Sequence, residues 1–584
     1  MPKYCVISLL IALVPMVPHA RSPDPDAQLQ TLMEEYWQAE LEASPLMATA
    51  LGVAGFDHRL DAVNEPALAA RVDHYDRILA RLKAIDSERL SATNKINQGV
   101  LEWILAHERT TLASNWRYMR FTTFDDWHSG FARVAALTQF RNDDSYRDYL
   151  ARLAQFGRYA NENIALLRRG MALGYVQPCA ALDGYAEGIS RYIADDPEHS
   201  VFFEPFAKLA AAGNSTLRAE RVHEAKRVIT AVINPALARY HEFFVTEYQA
   251  ACRASAGLSQ LAGGPELYDH FVRFFTTLDT NASSVHVLGL AEVKRIRAEM
   301  QTIIDELDFE GGFDDFMTHL RTDPKFYPRN AEAYLAQAAA IAKRIDGKLP
   351  EYFAYLPRNP YGIKAVPAVV APKTTTAYYQ RGAADGSRAG QYFLNVYDLE
   401  SRPLYELTAL TLHEAVPGHH LQISIQQELQ ELPEFRRHYY FHAYGEGWGL
   451  YAEHLGEEMG MYQTPYDRFG RLVYEMWRAC RLVVDTGIHA KSWSRDEAID
   501  YMAANTALSI HNITTEVDRY MTWPGQALAY KHGELKIKAL RAAAEQALGE
   551  RFSLRDFHAL VLTTGAVPLS VLDAAVREWI EAAD

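Results

Sequence analysis

The chain has 584 residues, ample for a large buried core, and its 49% hydrophobic and 23% charged content is that of an ordinary globular protein. A formal net charge of −15 argues against a nucleic-acid partner, which needs clustered basic surface. Four cysteines, at positions 5, 179, 252 and 480, show no zinc-finger spacing, and the last three permit at most one disulfide.

The first twenty residues have the form of a cleavable export signal. Lys3 gives a positive start, Tyr4 to Val17 is an apolar run too short to span a bilayer comfortably, and Ala20 is a small residue where cleavage is expected. An uncleaved anchor is the alternative. Cys5 stands at the start of the apolar run instead of following it, which argues against a lipid-anchored form. The expected location is periplasmic or secreted, with no stable membrane insertion after cleavage.

From Leu29 to Ile345 the pattern is helical. Stretches such as Leu150-Leu153-Phe156 and Val222-Ala225-Val228-Ile229 repeat apolar residues three or four apart. Near Pro350 the character changes. Ala365 to Val370, Thr374 to Gln380 and Gln391 to Tyr397 are rich in Val, Thr, Tyr and Phe and read as short strands, the last two joined as a hairpin. Asn395 lies in the third, whose edge is expected to offer a place for an extended peptide. A helix follows, with Ser401 as cap, Pro403 in the first turn and Leu404, Leu407 and Thr411 on one face. The predicted architecture is mainly α, with a helical lobe over 21–348 and a catalytic lobe over 349–584 forming one continuous unit. A small β-sheet feeds the helix that carries the chemistry.

That helix reads His413-Glu414-Ala415-Val416-Pro417-Gly418-His419-His420. Imidazoles and carboxylates are good zinc ligands, and a catalytic zinc takes three of them plus an open position. A Glu directly after the first His is placed as general base without being a ligand. Downstream, Glu446 in Gly445-Glu446-Gly447-Trp448-Gly449 supplies a third ligand. The spacing departs from the usual one-turn pair. On a straight helix His419 would sit roughly 120° off the His413 face, and His420 would lie about 10.5 Å along the axis. Pro417, however, clashes with the carbonyl of His413, so the helix must kink or bulge. A bulge absorbing two residues returns His419 to the one-turn position. This favours His419 over His420 as the second ligand without closing the choice.

The strings HEAVPGHHLQ and EGWGLYAE resemble the signature of a large bacterial family catalogued as domain of unknown function 885, grouped with the zincin-like metallopeptidases. The resemblance continues through Trp477 to His489, Glu516 to Tyr520 and Pro524 to Lys531. It implies one zinc held by His413, His419 and Glu446, with Glu414 as base and His420 beside the site or touching substrate. In the later motifs Tyr520, Tyr530 and His489 are suitable donors to a developing oxyanion. Arg481, Arg519 and Lys531 are suited to a substrate carboxylate, although Arg481 and Asp485 also have the spacing of a structural ion pair. The expected activity is zinc-dependent hydrolysis, with Glu414 shuttling the proton. Helical carboxypeptidases and oligopeptidases with deep channels point by analogy to short peptides. The alternatives are a zinc hydrolase of another amide or ester, and a binding protein that kept the fold without catalysis.

Overall fold

Helix dominates the architecture as it dominates the sequence pattern: the computed structural model is 71% helical and holds one small sheet. The structure describes residues 24–583 except 125, 212–215, 369 and 384–385. The expected export signal therefore lies outside the described residues. Among these, no helix is long and apolar enough to cross a membrane.

The apolar stripes read from the sequence converge on two main cores. The larger joins Leu29, Leu32 and Tyr36 near the N-terminus to Ile296 and Met300, and continues to Val561 and Val576. It crosses position 348, so the two lobes share their interior. A second core is built within residues 60–248, from Phe131, Phe156, Tyr240 and their neighbours. Cys179 and Cys252 at its margin are joined by a disulfide, while Cys480 is buried and free.

At the centre of the larger core lies the helix Pro465–Lys491, whose residues from Phe469 to His489 are all buried. Its start is fixed by Pro465 and by a Thr464–Asp467 capping box. In chain order, the elements that build the site are α1 (Ala282–Glu306), β1 (Tyr361–Ala365), β2 (Ala377–Gln380), β3 (Gly390–Leu394), α2 (Leu407–Glu414) and α3 (His419–Glu428). They continue with α4 (His442–Glu458), α5 (Pro465–Lys491), α6 (Ile510–Thr522) and α7 (Ala529–Leu548). Helices α4 and α7 cross almost backbone to backbone: a Cβ on Gly533 would stand 1.9 Å from the Ala443 carbonyl oxygen. Only glycine permits that approach, which brings the start of α7 beside Glu446 on α4.

The sheet differs from expectation in two ways. Its first strand is Tyr361–Ala365, so the strand expected to begin at Ala365 in fact ends there. The expected hairpin forms, with β2 antiparallel to β3, but β3 also pairs in parallel with β1 and is the central strand. The strand carrying the third apolar run therefore has no free edge; β1 and β2 hold the edges. The helix start also shifts. Ser401 ends a short 3-10 turn, and α2 begins only at Leu407. A second turn, Leu404–Glu406, occupies the residues where the first helical turn was expected.

Candidate metal centre

Helix α2 does not bulge; it breaks. It ends at Glu414, the Val416–Pro417 bond is cis, and α3 starts anew at His419. The amide of Gly418 donates to the carbonyl of Leu412 across 2.9 Å, a reach of six residues where a helix spans four. Two residues are absorbed, as the spacing required, but through a break and not through a distorted turn. The Pro417 carbonyl, left without a helical partner, accepts from the buried indole of Trp448 at 2.7 Å. That bond pins the break to α4, the helix bearing Glu446.

The consequence is a cluster. One donor atom each from His413, His419 and Glu446 lie within 4.8 Å of one another. Glu446 Oε2 stands 3.5 Å from His413 Nε2 and 3.4 Å from His419 Nε2. Donors about 2.1 Å from one tetrahedral ion are roughly 3.4 Å apart, so these separations fit a shared zinc. The His413 imidazole fits because position 449 is glycine, where a Cβ would fall 2.6 Å from the ring.

Two of the three donors are supported behind, His413 and Glu446, while the buried Nδ1 of His419 has no hydrogen-bond partner. His413 Nδ1 meets Glu453 Oε1 at 2.8 Å, turning Nε2 into the cluster, and Arg478 holds the same carboxylate oxygen at 3.1 Å. Tyr440 donates to the other Glu446 oxygen at 3.0 Å. Burial alone would lower the His413 pKa, but Glu446 and Glu453 outweigh it and hold the imidazole up to about 9. Burial would raise Glu446, yet His419 and His413 beside it keep it well below the usual carboxylate range. Both shifts come from the mutual attraction of these imidazoles and carboxylates, and a metal ion held there would take the place of the proton they share.

Glu414, next to His413, is not one of the three clustered donors. It is 8% exposed, its Oε2 has no hydrogen-bond partner, and burial raises its pKa against the pull of His419 and His413. A buried carboxylate oxygen with nothing to accept from is an acceptor in wait for a water or substrate proton. His420 points elsewhere. Its Nδ1 lies 2.9 Å from the Tyr379 hydroxyl on β2 and 3.2 Å from Ser424, and burial lowers its pKa to about 4.

Of the expected oxyanion donors, only Tyr530 stands at the cluster, its ring centre 6.4 Å from that of His413. The Tyr520 hydroxyl accepts from Trp477 Nε1 at 3.0 Å and Arg481 Nε at 2.8 Å, and its own proton is engaged by Glu516. His489 is fully buried and committed to backbone, receiving the Leu258 amide at Nδ1 and lying 3.0 Å from the Tyr520 carbonyl at Nε2. Neither is placed to reach a substrate.

The expected carboxylate contacts are corrected in the same way. Lys531 is sealed among Glu475, Glu534 and Glu292 at 2.6, 2.6 and 3.1 Å, a buried charge with full compensation. Arg481 and Arg519 share Glu516 at 3.0 and 2.8 Å, and Arg519 also donates to Gln526. The Arg481 guanidinium lies over the rings of Trp477 and Tyr530, 4.3 and 4.2 Å from their centres, a cation–π contact with each. The alternative pairing of Arg481 with Asp485 does not form either; that carboxylate accepts from Tyr268 and from the Gly525 amide. Asn395 is buried, with its amide spent on the carbonyls of Ala371, Thr374 and Thr375, where it ties down a loop.

Sequence reasoning missed Tyr440 and Glu453. Glu453 sits seven residues after Glu446, two turns along one helix face, a signal present in the spacing. Tyr440 precedes α4 and nothing in the local pattern singles it out.

The solved structure of a protein from Colwellia psychrerythraea, described as a putative lipoprotein, is similar over 96% of this chain and 100% of its own length. The two are 28% identical, with a TM-score of 0.89. A second, from Shewanella oneidensis and described as a putative lipoprotein of unknown function, shares the fold at 17% identity and a TM-score of 0.70, covering 94% of this chain and 99% of that one. No curated protein matches. The family model described as bacterial protein of unknown function (DUF885) matches residues 45–576, and the chain belongs to that family.

Proposed function

We propose that the chain is a zinc-dependent hydrolase of the zincin-like metallopeptidase type, acting on short peptides outside the cytoplasm. The observation that carries this reading is the convergence of His413, His419 and Glu446 beside an unpartnered buried carboxylate, Glu414. Two imidazoles and one carboxylate at tetrahedral separations are a catalytic donor set with a position left open. Bound there, zinc supplies Lewis acidity, polarising a carbonyl and lowering the pKa of water.

The protein's own groups do the rest. Glu414 accepts a proton from the attacking water and returns it to the leaving amine, work suited to a carboxylate whose pKa burial has raised. Tyr530, held flat against Arg481, offers its phenol to the charge developing on the substrate oxygen. Tyr440 keeps one Glu446 oxygen engaged, so the other faces His413 and His419. Glu453 and Arg478 hold the tautomer and the angle of His413.

An extracytoplasmic location is supported by the Cys179–Cys252 disulfide and by the lipoprotein descriptions of the two structural relatives. The test of function is elemental analysis of untagged protein followed by digestion of a mixed peptide library read by mass spectrometry. One zinc per chain with zinc-dependent cleavage is expected; intact peptides with the metal bound would reject the peptidase reading.

A further inference from the structure

Arg481, Arg519 and Lys531 are all committed to carboxylates of the protein itself. Arg381, directly after β2, is not. It is half-buried, and among the described residues its side chain makes one bond, from Nη1 to the carbonyl of His438 at 3.2 Å. No carboxylate among those residues lies within ion-pair reach of it. Nε and Nη2 have no protein partner, yet neither is sealed from water, so both face accessible space.

These two nitrogens are the pair that grips both oxygens of one carboxylate side-on. The chain uses the same pair elsewhere. Arg495 holds Asp518 through Nε at 2.6 Å and Nη2 at 3.1 Å, and Arg221 holds Asp143 at 3.1 Å through each. Half-burying a guanidinium against a single neutral acceptor costs hydration that one bond does not return. An anion docked on the open fork would return it.

Arg381 also stands close to the metal cluster. Tyr440, two residues after His438, donates to Glu446 and feels the charges of Glu446, Tyr530 and Glu414. Arg381 feels the same phenol: burial pushes its pKa down, and Tyr440 and then Tyr379 push it back up. A peptide covers about 3.4 Å per residue, so a substrate held by its carbonyl at the cluster brings a carboxylate to Arg381 within one or two residues.

We propose that Arg381 anchors the free C-terminal carboxylate of the substrate through Nε and Nη2. The assignment rests on the hydrolase reading above and adds to it a substrate class: short peptides cut one or two residues from a free C-terminus.

Thiol probes that differ only at the far end test it on the zinc-loaded full-length protein: mercaptoacetyl-alanine and mercaptoacetyl-alanyl-alanine, each against its C-terminal amide. At one length or both, the acid is expected to bind at least about tenfold tighter than the amide, as a charge-assisted pair requires. In Arg381→Met that ratio should fall to within about twofold, with zinc and helical content unchanged. Arg381→Lys keeps the charge but not the fork, and its ratio should lie between the two. Wild-type ratios near one at both lengths overturn the proposal, as does a wild-type ratio retained in both variants. A third probe, mercaptoacetyl-glutamic acid α-amide, carries its carboxylate on a side chain; binding as tight as that of the terminal acids would overturn the C-terminal assignment. Cleavage of trialanine and of its amide is read separately. Probe discrimination without cleavage of either keeps the anchor and sinks the peptidase reading.

Discussion

Glu414 and Glu453 are buried carboxylates around the same histidine, and their surroundings divide the labour between them. Glu453 is held by His413 and Arg478 and is 1% exposed, so it cannot reach a substrate. Each carboxylate has one oxygen without a partner, but Glu414 has no ion pair on the other and is 8% exposed, so it is the one left open at the cluster. Glu414→Gln is therefore expected to keep zinc and thermal stability while losing at least about a hundredfold in kcat, because an amide cannot take the water's proton. Parallel assays of zinc content and peptide turnover check this, and full activity would remove the proton shuttle. Glu453→Gln should instead weaken zinc binding about 10–100-fold, measured by competition with a chelator. What could be read was the grouping: His413 and Glu446 each sit in a recognisable motif, and the fold brings both together with His419. Lys531 could not be read, since only Glu534 is near it in sequence, while Glu475 and Glu292 reach it from α5 and α1.

At the scale of the element, the break between α2 and α3 does what a continuous helix cannot, and Gly418 is its tightest point. A Cβ there would stand 1.9 Å from the carbonyl oxygen of His413, which belongs to backbone and cannot swing away. Gly418→Ala is expected to lower the melting temperature and zinc occupancy together, read by thermal denaturation and elemental analysis; stable, zinc-replete protein would show that the break tolerates a side chain. The need for two absorbed residues was legible from spacing and from Pro417. The form it took was not, because helix geometry fixes how much chain must be taken up but not how. The strand errors have a similar origin. Alternating apolar residues mark β2 and β3 well, but which strand lies central depends on Tyr361–Ala365, a segment with glycine and lysine that shows little strand pattern.

Across the whole molecule, the larger core runs from the first helices to the last, so lobes drawn from composition at position 348 share one interior. The smaller core within residues 60–248 is closed by the Cys179–Cys252 bond, which spans 73 residues. Replacing both cysteines by serine should cost about 4 kcal/mol through the freer unfolded chain, read from denaturant titration, while leaving zinc content unchanged. Loss of zinc in that variant would mean the two cores are coupled more tightly than their packing indicates. Everything proposed for the site depends on the break delivering His419, and not its neighbour, to His413 and Glu446. The most direct measurement is the zinc content of the untagged wild type, His419→Ala and His420→Ala, each checked for helical content. One zinc per chain in the wild type and in His420→Ala, with almost none in His419→Ala, is the predicted result. Zinc retained by His419→Ala and lost from His420→Ala would contradict it.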